Sequence, residues 1–347
     1  MVFTCLEFLR GRYRTGQRHL AAGLKILGEL ELYGNKTRAT KTDDEELLLE
    51  VFGRMRVLAM QLGQIQADQQ QGYVGGGLEF HAGSPEAGSI PSSFESASQV
   101  RNLLDDIVSA AYQLKNMSRE SHRPEISDKH AEEKRQLESH LEAWNIAYRA
   151  SKSLLQGNIL VQLSRQLLYL HYMAVNILVK AGCLFLDDDD EMVYDNYIGD
   201  FRSLLSHAMD FTNTVRQLHS SMSAADPAFS SDKSHLTIDM GWIPPLYFTA
   251  LHCRDHETRW QAVGLLESIP SKEGIWDSSV AVAVAERVIR LEEGQSRVVS
   301  AGQRVGDVQV TLPDGDNEDI TVTCRRPATT GRKGERITLT IQLHHQK

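Results

Sequence analysis

His252 and His256 stand four residues apart with Cys253 and Glu257 beside them, a spacing that on one unbroken helix would aim two imidazoles at a metal ion. The intervening Arg254-Asp255 pair reads as a tight joint that breaks the helix, so no metal is expected there. The acidic run Asp187 to Asp190 with Glu191 could attract a cation, but calcium loops of the EF-hand kind need ligands at alternating positions and a central glycine. A solvated turn between two helices is the expectation for that run.

Arg165, Tyr169, His171 and Tyr172 lie on the most apolar stretch of the chain, where buried polar groups need partners or water. They form either a hydrogen-bonded core network or the lining of a cavity for an apolar small molecule, because helical bundles hold ligands between facing helices. In the second reading His171, whose ordinary pKa lies near neutrality, is the acid or base, with Tyr169 and Arg165 beside it. Trp242 and Tyr247 flank Pro244 and Pro245, and they either anchor core packing or join Tyr169 and Tyr172 in a ligand surface.

Other chemistry lacks its residues. Cys5, Cys183, Cys253 and Cys324 are dispersed with no Cys-x-x-Cys pair, which argues against a disulfide framework and a structural zinc site. They read as reduced thiols of a nuclear or cytoplasmic protein. Gly75 to Gly77 has no lysine after it and no strand before it, both of which a phosphate cradle requires. No Gly-x-Ser-x-Gly, His-Glu-x-x-His or Walker loop occurs, so enzymatic chemistry has no motif and no cofactor is expected.

Charge narrows the partners. The 37 Lys and Arg against 46 Asp and Glu leave a net charge of −9 spread along the chain, whereas a DNA-binding surface needs clustered cations to displace counterions from phosphate. Nucleic acid is therefore not an expected partner. No stretch approaches the roughly 20 apolar residues that cross a bilayer, so a membrane is not expected either.

The elements that position these residues are mostly helical. Apolar Phe3 to Leu9, broken at Gly11 from Leu20, Leu24 and Leu27, predicts a helical hairpin. Asp43 and Asp44 supply cap chemistry before a long stripe from Leu47 to Leu62. Residues 64–93 carry glutamines, glycines and prolines without a helical period and read as a mobile loop. Helical spacing resumes from Phe94 to Leu114, from Leu137 to Tyr148 after Pro124, from Leu160 to Leu178 at the bundle centre, and from Phe201 to Leu218.

The polar segment 221–239 predicts no element. Pro244 and Pro245 fit the first turn of a helix running to Cys253, a second helix holds Trp260, Val263 and Leu266, and Trp276 opens the last one. The period then changes from 3.6 to 2 at Val308, Val310 and Leu312, again from Ile320 to Cys324 and from Ile337 to Leu343. The expected fold is mainly α, a multi-helix bundle or stacked helical hairpins over 1–295, with a small antiparallel β-meander over 296–347 packed on it.

Ordered segments resemble the regulatory helical region downstream of the DNA-binding cluster in fungal binuclear-zinc-cluster transcription factors. They are Arg12, Tyr13, His19, Leu20, Gly23 and Leu24; then Pro91, Phe94, Ala97, Trp144 and Ala147; then Asp239 to Phe248 with Ala250, Leu251, Cys253, Arg254, Asp255, Arg259 and Ala262; and finally Trp276-Asp277-Ser278 with Ala285-Glu286. The resemblance covers nearly the whole chain and implies structural roles for Gly241, Pro244, Pro245, Cys253, Arg254, Asp255 and Trp276. The six closely spaced cysteines of that family's zinc cluster cannot be drawn from four scattered ones. That module either precedes Met1 in a longer product or never belonged to it.

Two functional readings follow. One is a non-catalytic regulator module that senses a small apolar ligand or a protein partner, a second copy of the chain among the candidates. The other is a stand-alone enzyme or binding protein for an apolar metabolite, built on the same scaffold.

Overall fold

The computed structural model describes residues 2–37, 43–62, 90–120, 124–151, 157–182, 191–225, 235–237, 241–268, 271–312, 314, 319–327 and 334–342. Of the segment read as a loop, 90–93 is irregular and the remainder, with Gly75 to Gly77, lies outside the described residues, as do Cys183 and Asp187 to Asp190. The fold is mainly α with a three-stranded antiparallel sheet at its C-terminal end, as the change of period predicts.

The chain opens on a hairpin of α1 (Val2–Leu9) and α2 (Tyr13–Thr37). Gly11 turns it at φ 70°, a left-handed conformation that costs a residue with a side chain roughly 1–2 kcal/mol. Next come α3 (Asp43–Gln61), α4 (Ala97–Glu120), α5 (Pro124–Ala150), α6 (Ile159–Gly182) and α7 (Ile198–Ala225), each packed on the helix before it. Pro124 sits at the start of α5, where its missing N–H has no intrahelical partner to lose. Helix α6 also touches α4 and α8 and is buried on several faces at Leu170, Ile177, Leu178 and Val179, whereas Leu160 in its first turn is exposed.

Three short helices follow: α8 (Ile243–His252), α9 (His256–Ser268) and α10 (Ser278–Glu293), mutually in contact. Pro244 and Pro245 occupy the first turn of α8, where the sequence puts them. The polar segment after Leu218 differs from expectation. Helix α7 continues to Ala225, and His235–Thr237 forms strand β1, parallel to β2 (Ser271–Glu273), which turns at Gly274 into β3 (Trp276–Asp277). Trp276 thus begins the two-residue strand β3 and does not open α10; Asp277 caps that helix by accepting from Ser279 N at 2.9 Å.

The C-terminal meander consists of β4 (Gly306–Thr311), β5 (Ile320–Arg326) and β6 (Glu335–Ile341). Strand β5 is central and antiparallel to both neighbours, with a bulge between Gly306 and Gln309 where Asp307 takes φ 53°. Val310, Leu312, Ile320, Val322 and Cys324 face inward and belong to the same hydrophobic cluster as the helices. Two buried indoles tie separate elements together: Trp144 Nε1 donates to Val100 O at 3.0 Å and Trp276 Nε1 donates to Leu58 O at 3.1 Å. Among the described residues no helix is long and apolar enough to cross a membrane.

Candidate functional site

The Arg254-Asp255 pair does break the helix, and the two histidines part company. His252 ends α8 and pairs with Glu191 at 3.2 Å; His256 opens α9 and pairs with Glu293 at 3.0 Å. Asp255 caps α9, accepting from Thr258 N at 3.2 Å and from exposed Arg202 at 3.1 Å. Among the described residues no three His, Cys, Asp or Glu converge on a point that could hold a metal.

Arg254 itself is buried at a junction of four elements. Its Nη1 donates to Glu191 Oε2 at 2.7 Å and to His252 O at 2.9 Å, while Nη2 donates to Glu292 Oε1 at 2.9 Å and Val305 O at 3.1 Å. Glu292 is fully buried. It also accepts from Arg259 Nη2 at 2.7 Å and from Val305 N at 2.9 Å, so one carboxylate joins α9, α10 and the chain entering β4. Arg304 completes the junction with a two-pronged bond to Asp195 at 2.8 and 2.7 Å and one to Glu191 O at 3.1 Å.

This corrects the expectation of a solvated acidic turn for its one described member. Glu191 is buried. Burial pushes its carboxyl up, yet the Arg254 guanidinium, assisted by His252, holds it well below the usual carboxylate range. Burial lowers His252 to about 4 against the pull of Glu191, so the imidazole is neutral near pH 7 and gives its Nδ1–H to the carboxylate. Charges placed this deep are individually expensive, and only their mutual pairing makes the arrangement tolerable. Cys253 is buried beside them, and burial raises its thiol to about 11.

A second buried group sits at the N-terminus of α8. Glu273 accepts from Trp242 N at 3.1 Å and Ile243 N at 3.0 Å, using both carboxylate oxygens on the orphan donors of the first turn. Gly241 is required here because a Cβ would overlap that carboxylate. Burial raises Glu273 to about 8 despite the two N–H donors, which pull the other way. On the opposite side of the same peptide, His171 Nε2 lies 2.6 Å from Gly241 O and must donate to it. Trp242 is buried, with Nε1 3.3 Å from Ser271 Oγ and its ring 5.7 Å from Phe211.

The residues read as one ligand surface are therefore distributed over three places. Tyr169 and Tyr172 stack with Tyr148 and Trp144 at ring separations of 4.9 to 5.7 Å, and Tyr148 Oη donates to Arg165 O at 3.0 Å. Burial and the neighbouring Tyr169 raise Tyr172 to about 12. His171 and Trp242 meet at Gly241. Tyr247 packs edge-on to Trp276 at 5.0 Å.

Tyr247 lines a cavity of about 80 Å³ between α3, α4, α8 and β4, together with Gln61, Tyr112, Lys115, Asn116, His252, Asp307 and Gln309 among others. A water needs roughly 10–15 Å³ on this measure, so the space suits a few waters or a very small molecule. It is far below the roughly 300–1,000 Å³ of a drug-sized ligand site. Tyr247 Oη and Gln61 Oε1 are buried and have no hydrogen-bond partner in the described chain.

No family model matches the chain, and no solved structure matches it significantly. Among curated proteins it is similar to the aspercryptin biosynthesis cluster-specific transcription regulator atnN of Emericella nidulans, at 22% identity over 366 aligned residues. The match takes in 87% of this chain and 59% of that regulator, so the chain spans less than two thirds of the relative's length.

Proposed function

We propose that this chain is a non-catalytic regulator module of transcription-factor type that senses a ligand or a protein partner and works in the nucleus on a set of biosynthetic genes. The observation that carries this reading is the similarity to a cluster-specific transcription regulator across 87% of the chain. The ordered blocks around Gly241 to Asp255 support it, because they build the two buried junctions that connect α8, α9 and α10 with the rest of the fold. Such junctions suit a device that transmits a change at one surface to another.

Sequence-specific DNA contact belongs, in this reading, to a separate module. Deleting the gene should change the transcripts of a discrete gene set, and a fluorescent fusion should concentrate in the nucleus. An unchanged transcript profile would overturn the proposal.

A further inference from the structure

We propose that the outer face of the α1–α2 hairpin docks an acidic amphipathic helix of another protein. This rests on the regulatory reading, whose protein partner it describes, but it can fail separately. Among the described residues nine large apolar side chains are exposed, and four of them, Phe3, Leu6, Leu9 and Ile26, belong to this hairpin. Helix α1 carries a single charged residue, Glu7, yet packs chiefly on α2. Apolar surface gathered in this way marks a contact surface.

The inward face is what holds the hairpin in place. Phe8, Tyr13 and Leu20 are buried, and Thr15 donates to Asp314 through N at 2.9 Å and through Oγ1 at 3.0 Å. The outward side chains take no part in that anchorage. On α2, exposed His19, Ala22 and Ile26 recur at spacings of three and four and share a face, with exposed Arg18 and Lys25 along its edge. The Phe3 ring lies 6.3 Å from His19, and Leu6 and Arg10 follow Phe3 by three and seven residues on the same face of α1.

Charge decides the occupant. From Phe3 to Ile26 the sequence holds five cations against one acid, in a chain whose net charge is −9. Glu29 and Glu31 follow, so the basic part of α2 is confined to the turns before them. An apolar strip edged by cations complements a helix whose apolar stripe is edged by carboxylates, which arginine meets with two parallel bonds. Arg10 and Arg12 approach Glu7 only at 3.6 and 3.9 Å with their side chains largely in solvent, so a better placed carboxylate displaces little. A second copy of the same face would set cations against cations. An anionic lipid surface would draw Arg10, on the face of Phe3 and Leu6, into the apolar layer, whereas interfacial helices keep their cations on the polar side.

The test places p-benzoylphenylalanine at Phe3 or Ile26, with exposed Ile146 of α5 as the control position, in the full chain in its source organism. Photo-crosslinked peptides are then identified by mass spectrometry. Phe3 and Ile26 should give the same segment of another protein, apolar at helical spacing and net negative, and Ile146 should not. That segment, synthesised, should bind the purified chain saturably, more weakly as salt rises, and about tenfold more weakly after Ile26→Ser and after Arg10→Gln. Urea midpoints near wild type are expected of both variants, since both side chains are exposed; if Arg10→Gln departs, Ile26→Ser decides alone. Crosslinks to this chain mean a second copy and crosslinks to lipid mean a membrane surface; either overturns the docking face, as does a segment without net negative charge. A transcript effect of gene deletion with no crosslink sinks the docking face alone; the crosslinked partner with an unchanged transcript profile sinks the regulatory reading.

Discussion

Arg254 and Glu292 meet at 2.9 Å with both side chains buried, and between them they engage every element at the junction of α8, α9, α10 and β4. Removing the cation strands Glu191 with only the neutral His252 beside it, and takes from Glu292 one of its two guanidinium partners, leaving Arg259. Arg254→Met should therefore destabilise the fold by about 3–5 kcal/mol, the usual consequence of leaving a buried charge unpaired. Arg254→Lys should recover little, because one ammonium cannot reproduce a fork that serves two carboxylates and two carbonyls. Denaturant midpoints of the two variants check this, and a lysine variant near wild type would show that the fork geometry is dispensable.

The pH response should have two opposite slopes. Glu273 is raised from 4.5 to about 8, so the unfolded chain releases that proton first and stability falls as pH rises through this window. His252 is lowered from 6.5 to about 4, so the unfolded chain takes up its proton first and stability falls as pH drops through that interval. Glu191, held below its ordinary 4.5, extends the loss to lower pH. Glu273→Gln should cost stability at pH 5, since an amide nitrogen then faces a backbone N–H, and should flatten the slope up to pH 8. Melting curves across that range measure both; an unchanged alkaline slope would mean that Glu273 is ionised in the native state.

Much of this architecture was legible in the sequence because periodicity reports burial directly. The stripes of α3 to α7 and the alternation of β4 to β6 follow from apolar spacing alone, and Pro244-Pro245 marks a helix start through its missing donors. The charge junction left a fainter trace. Glu292 stands four residues after Val288 and eight after Val284 on the buried face of α10, and Arg259 precedes Ala262, Val263 and Leu266 on that of α9. Opposite charges on two apolar stripes signal a buried pair. Strand β1, Glu273 and the cavity left no such trace, because each depends on contacts between segments distant in sequence and without period of their own.

Trp242→Ala should cost about 3–5 kcal/mol, the range for emptying a buried aromatic site, and should lower the melting temperature accordingly. The indole is buried against Phe211 and holds Ser271 through Nε1, so its loss opens a cavity and frees the β2 edge. Trp276→Phe keeps most of the volume and removes the bond to Leu58 O, for about 1 kcal/mol. An alanine variant at position 242 with an unchanged melting temperature would mean that the side chain carries no packing.

The Gly241 and Glu273 pair should be strongly non-additive. Gly241→Ala places a methyl where the Glu273 carboxylate sits, so the carboxylate must leave Trp242 N and Ile243 N or the backbone of α8 must shift. Glu273→Ala leaves the same two donors unpaired by a different route, at about 1–3 kcal/mol. Once the carboxylate is gone, the three atoms that the methyl at position 241 would overlap are gone with it, and the methyl should add little. The double variant should therefore be no less stable than the worse single one, with a coupling of about 1–3 kcal/mol read from the cycle of denaturant midpoints. Simple addition would mean that the methyl disturbs something other than Glu273. The glycine would then be needed for the approach of His171 to its carbonyl, which a shift of the His171 ring resonances in Gly241→Ala alone would reveal.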